Sequence, residues 1–115
     1  AWQAGARCLS TTVLGIGELA GNAAFEQVAM ALRVACGVET GVRFGVLVGL
    51  AECVARAAGR ETPRCSPVVG EGIHCHESGI HVSGLERDAL SYQAYSAELV
   101  GLRVVLARRS FRSSV

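Results

Sequence analysis

The chain has 115 residues, room for one domain at most, and half of them are hydrophobic with a mean hydropathy of +0.36, which excludes a disordered polymer. A formal net charge of +1 gives no electrostatic basis for nucleic acid or an anionic membrane as partner. All basic residues are arginine, so Schiff-base and phosphate-loop lysine chemistry are excluded as well.

Residues 7–14 read as a strand, because Thr11, Thr12 and Val13 are β-branched and turn glycines follow. Gly15, Gly17 and Gly21 then free the backbone for a sharp turn that carries Glu18 and Asn22. The spacing predicts an amphipathic helix over 21–36, with Phe25, Val28, Ala29, Leu32, Ala35 and Cys36 as its apolar stripe. Asn22 is placed to cap that helix and Gly37 to end it. Glu18 has a plain structural reading too, as an acid near the helix N-terminus.

A second helix is expected over about 43–58. Its stripe is Leu47, Leu50, Ala51, Val54, Ala57 and Ala58, and Gly59 is its stop. The apolar run from Phe44 to Ala51 ends at Glu52, far short of the ~20 residues that cross a bilayer. Glu61–Arg64 reads as a linker. From Cys65 to Gly84 the texture turns irregular, with room for a short helix or turn and with all three histidines, His74, His76 and His81. Residues 86–96 are polar and hold both tyrosines, and Leu102 to Leu106 is apolar enough for a last short strand. The tail from Arg108 to Val115 is basic and expected to fray. One strand–helix unit cannot make a parallel sheet alone, and the chain opens without Met. The expectation is therefore a piece of a longer protein.

Five cysteines, an odd number with no C-x-x-C spacing, argue against a disulfide framework and suit a reducing cytoplasm. His74, Cys75 and His76, with His81 or Cys65, form a possible zinc set, though ordinary loop and packing histidines are the commoner outcome. Glu18 with His81 could form a carboxylate–imidazole base for a weak carbon acid. A tyrosine, Tyr92 or Tyr95, could donate to a developing oxyanion, or simply pack.

Residues Gly15 to Glu26, Gly-Ile-Gly-Glu-Leu-Ala-Gly-Asn-Ala-Ala-Phe-Glu, resemble the motif G-x-G-E-R-A-G-N-A-x-x-E of the 2-isopropylmalate synthase/homocitrate synthase family. His76-Glu77-Ser78-Gly79-Ile80-His81 resembles its second motif, H-E-S/A-G-I-H. The resemblance spans about residues 4–110. Residues 36–41 and 81–85 look more like the homocitrate synthase branch associated with nitrogen fixation.

The resemblance implies an α/β fold, the last strand–helix unit of a (β/α)8 TIM barrel followed by a mainly helical C-terminal subdomain. Residues 1–37 would be the end of the barrel, 38–66 a helical connection, and 67–115 the start of a dimerisation subdomain. It implies an acyltransferase that condenses acetyl-CoA with a 2-oxo acid, 2-oxoglutarate for homocitrate, with a divalent metal (Mg²⁺, Mn²⁺ or Zn²⁺) and a cytoplasmic homodimer. Glu18, His81 and Tyr92 match catalytic positions, and Asn22 a position at or next to the metal. In the family the histidine and tyrosine come from the partner subunit. The alternatives are a 2-isopropylmalate or citramalate synthase piece and a non-catalytic dimerisation or regulatory module.

The chain departs from the pattern at three places. Leu19 stands where the family has Arg, Ser83 where Asp is common, and residues 107–111 where the family has G-K-H-S-G. The family's main metal ligands, an Asp and an H-x-H strand, are expected upstream of residue 1.

Overall fold

A computed structural model describes residues 1–107. Three helices dominate: α1 (Phe25–Cys36), α2 (Leu47–Ala57) and α3 (Gly79–Arg87). Short 3-10 turns lie at Trp2–Ala4, Phe44–Val46 and Ala97–Val100, and a tight turn at Val13–Gly15. The described residues contain one sheet, a parallel pair of two-residue strands, β1 (Cys75–His76) and β2 (Val105–Leu106), in the register Cys75–Val105 and His76–Leu106.

The helices form where apolar periodicity and stop signals agree. Helix α1 ends at Gly37, whose φ of 64° is the left-handed geometry glycine adopts freely. Its inner face is Ala29 and Met30, with Phe25, Val28 and Leu32 half-buried, while Ala35 and Cys36 lie outside. Helix α2 buries Leu47, Ala51 and Ala55, so its stripe is set slightly round from the expected one, and Leu50, Ala57 and Ala58 face outward. One core joins α1 and α2 to a returning segment: Ala29, Met30, Phe44, Leu47, Ala51, Val68, Val69 and Val100 are packed together. Arg33 stacks over the Phe44 ring at 5.1 Å and reaches Glu39 at 3.5 Å, which straps the connection after α1 back onto the helix. The chain is long and thin, 61 × 34 × 23 Å with a radius of gyration of 16.9 Å, against about 13 Å for a compact domain near this size.

Four expectations are corrected. Residues 7–14 do not form a strand. Thr12 makes a single parallel bridge to Ala24, and the chain then turns at Val13–Gly15. A strand gains its stability from hydrogen-bonded neighbours, and a single bridge supplies one step of a ladder. The first helix begins at Phe25 rather than 21, and Asn22 does not cap it. Its N-cap is Ala24, with no side-chain hydrogen bond, and the first-turn acid is Glu26 rather than Glu18. Gly21 has φ 98° and the Asn22 amide is spent on the Gly15 carbonyl, so the backbone there is a loop. The second helix proper starts at Leu47, behind a 3-10 turn. Finally, only Val105–Leu106 of the 102–106 run enters a ladder. The basic tail and residues 108–111 lie outside the described residues. The described residues are thus mainly helical with few strands.

Candidate active site

The glycine-rich turn closes on itself. Asn22 donates its backbone N–H to the Gly15 carbonyl at 2.9 Å, and Gly21 donates to the Glu18 carbonyl at 2.9 Å. Thr12 receives N–H bonds from Gly15 (3.1 Å) and Phe25 (2.8 Å) and donates to Ala23 (3.0 Å), locking the turn to the start of α1. Gly15 and Gly21 (φ 98°, with a Cβ 2.7 Å from the Gly15 carbonyl oxygen) are required by backbone geometry, while Gly17 leaves room for the Asn22 side chain. A Cβ on Gly15, at φ 64°, would stand 2.6 Å from the Asn22 carbonyl oxygen, and one on Gly17 would stand 2.7 Å from the Asn22 side-chain Cγ. Both Glu18 and Asn22 are exposed on this turn. Two leucines share its strain: Leu14 at φ 57° and Leu19 at φ 54°, the latter wholly exposed.

The second cluster is built on α3 and the turn after it. The His81 and Tyr92 rings lie 4.3 Å apart between centroids at a tilt of 32°. His76 meets His81 edge to face at 6.0 Å. Tyr92 reaches this position through a left-handed backbone, φ 62°, in a turn where Asp88 accepts the Leu90 N–H through Oδ1 at 3.0 Å. Gly84 clears the space, since a Cβ there would come within 2.6 Å of the Tyr92 ring. Both rings stay exposed, Tyr92 by 60%, so both can reach an incoming molecule.

Behind them lies a buried group. His74 is 4% exposed, hydrogen-bonds Gln93 Oε1 through Nδ1 at 3.1 Å, and packs edge to face on Tyr95 at 5.5 Å. Burial is the main force holding the His74 imidazole below its ordinary value, against the raising effect of the Gln93 bond. Burial likewise pushes the Tyr95 phenol up. Tyr95 is thereby read as packing, which sets it apart from the exposed Tyr92.

The structure thus brings Glu18 and Asn22 onto one turn and His81 and Tyr92 into one pair. Among the described residues no hydrogen bond or ion pair joins Glu18 to His81. The zinc set does not assemble: His74 and His76 engage different rings, Cys65 is exposed, and the described residues hold no group of three or more His, Cys, Asp or Glu arranged for a metal. For a divalent cation the exposed Asn22 amide is one donor, and these residues alone do not fit a complete site. Sequence reasoning passed over two residues. Gly84 gave no signal because Tyr92 is remote from it in sequence. Glu26 was visible as the last letter of the first motif, but its burial was not.

Residues 1–54 match the HMGL-like family. A homocitrate synthase from Frankia alni is 44% identical over 115 residues, covering 98% of this chain and 33% of that protein. A putative (R)-citramalate synthase from Methanoculleus marisnigri is 44% identical over 117 residues, covering 100% of this chain and 23% of the relative. The 2-isopropylmalate synthase 2 of Caldanaerobacter subterraneus subsp. tengcongensis is 38% identical, covering 94% and 29%. The chain therefore spans a third or less of the length of these relatives. Residues 1–54 thus match the HMGL-like family model, and nearly the whole chain is similar to one portion of the homocitrate, citramalate and 2-isopropylmalate synthases.

Proposed function

We propose that this chain is the portion of a homocitrate-synthase-like acyltransferase that carries two walls of its condensing site, the Gly15–Asn22 turn and the His81–Tyr92 pair. The observation that carries the reading is the ring contact of 4.3 Å between His81 and Tyr92, which puts a proton acceptor and a phenol donor side by side and exposed. The similarity to synthases of three related names supports the reaction class.

In that reaction a base removes a methyl proton from the acetyl thioester. The carbon attacks the 2-oxo acid carbonyl, a C–C bond forms, and water then releases CoA. The His81 imidazole takes the methyl proton, and the Tyr92 hydroxyl donates a hydrogen bond to the oxygen on which charge develops. Glu18 is the carboxylate that orients the imidazole. The resemblance implies that the pair of one copy serves the turn of another, in a homodimer. The resemblance also implies a divalent cation. Among the described residues Asn22 would touch it, and no step here is routed through it.

Release of CoA thiol from acetyl-CoA with 2-oxoglutarate and Mg²⁺ or Mn²⁺ is the test. The 115-residue chain alone is expected to show no turnover. Substituted for the matching portion of a homocitrate synthase relative, it is expected to support turnover that His81→Ala abolishes. An active chimera indifferent to His81 would sink the assignment, and competition among 2-oxo acids in that chimera decides between homocitrate and 2-isopropylmalate or citramalate chemistry.

A further inference from the structure

The polar side chain buried most completely among the described residues is not one of the matched catalytic residues. Glu26, in the first turn of α1, is 2% exposed. Its Oε2 accepts the backbone N–H of Leu14 at 3.1 Å, and its Oε1, also buried, has no hydrogen-bond partner among the described residues. Burying a carboxylate with one oxygen unpaired is costly, and the bond made by the other oxygen offsets part of that cost. That oxygen binds Leu14, the left-handed middle residue of the Val13–Gly15 turn. Leu14 sits at φ 57°, a left-handed conformation that L side chains rarely adopt. Directly after it come Gly15, also left-handed, and the closed turn that displays Glu18 and Asn22.

We infer that Glu26 is the positioning residue of the Gly15–Asn22 turn: its buried carboxylate holds Leu14 in the left-handed corner that aims Glu18 and Asn22. The geometry gives the reason for glutamate. The acceptor must stand on the first turn of α1 and reach back twelve residues to an amide that the 12–15 turn leaves without a backbone partner. Helix α1 is anchored in the core through Ala29 and Met30, so the carboxylate stands on a rigid support. The site role rests on reading the turn as a wall of the condensing site.

The test is residue-resolved amide hydrogen exchange on the 115-residue chain, with no substrate needed. Glu26→Leu removes the acceptor at similar volume. The Leu14 amide is then expected to exchange roughly 10- to 100-fold faster, with Gly15 and Asn22 following, while amides of Ala29–Arg33 keep their protection. Glu26→Gln retains an acceptor oxygen at the same reach and is expected to keep Leu14 within severalfold of the parent. Glu26→Asp retains a carboxyl group but is one methylene short, and is expected to resemble Glu26→Leu. Should Glu26→Leu fail to fold, the Gln and Asp pair decides alone. An unchanged Leu14 amide in Glu26→Asp, or an acceleration spread evenly through α1, overturns the inference. Because the readout is independent of turnover, an inactive chimera would refute the proposed function and leave the positioning result standing, and the reverse also holds.

Discussion

Replacing Gly84 with alanine tests whether the His81–Tyr92 pair depends on a missing side chain. The new Cβ would lie 2.6 Å from Tyr92 Cε2, and ordinary contact begins at 3.4 Å, so the ring must retreat by 3.4 − 2.6, about 0.8 Å. Two energies oppose each other. Alanine in a helix interior is favoured over glycine by about 0.8–1 kcal/mol. Disturbing an aromatic contact costs about 0.5–1.5 kcal/mol. Tyr92 is 60% exposed, so its ring can swing into solvent rather than strain α3. The net change in stability should stay within about 1 kcal/mol, a melting shift of no more than about 4–8 °C. The local change should be plain. The ring protons of His81 now feel the Tyr92 ring current at 4.3 Å, and in Gly84→Ala their resonances should move toward those of a free histidine. The assay is a pair of measurements on one sample, a thermal melt and a histidine-ring NMR spectrum. Unmoved His81 resonances, or a loss above about 3 kcal/mol, would refute the reasoning, because either result means that the ring did not yield as its exposure implies.

Two further outcomes follow from strained and buried groups. The folded chain holds His74 below its ordinary value, so the unfolded chain takes up the proton first, and the stabilising contribution is complete above about pH 6.5 and declines as pH falls from there toward the folded value. Urea midpoints at pH 7.5 and 5.5 should therefore separate in the parent and draw together in His74→Gln, and a midpoint that rises on acidification would contradict the sign. Leu19 is wholly exposed at φ 54°, so Leu19→Gly loses no burial and should gain about 1 kcal/mol by relieving the left-handed strain, and a destabilised variant in urea titration would show that the leucine is held by contacts not apparent here.

Much of the helical framework was legible because it rests on signals that act over one turn. Phe25, Ala29 and Leu32 recur at the spacing of α1, and Gly37 and Gly59 mark helix ends with left-handed backbone. Residues 7–14 misled because β-branching reports what suits a pleated surface, whereas a strand exists only beside another strand. Asn22 misled for a related reason. Its side chain suits a helix cap, but it packs on Gly17 and its amide bonds Gly15. At the site, the closed turn followed from its three glycines. The approach of Tyr92 to His81 depends on a clearance at Gly84 and a left-handed tyrosine, neither of which leaves a periodic trace. The burial of Glu26 is equally silent, since an acid in a first helical turn usually faces water.

The short parallel ladder has a consequence for how this region can drift in evolution. Its fastening is made of main-chain bonds, Val105 N–H to the His74 carbonyl at 3.0 Å and Ala107 N–H to the His76 carbonyl at 2.9 Å. The whole loop from 77 to 104, with His81 and Tyr92 inside it, is thereby drawn shut at its neck by atoms that every residue except proline supplies. Val105 and Leu106 are exposed there, so the fastening does not depend on burying their side chains. A proline at 105 or 107 would remove one of these two bonds.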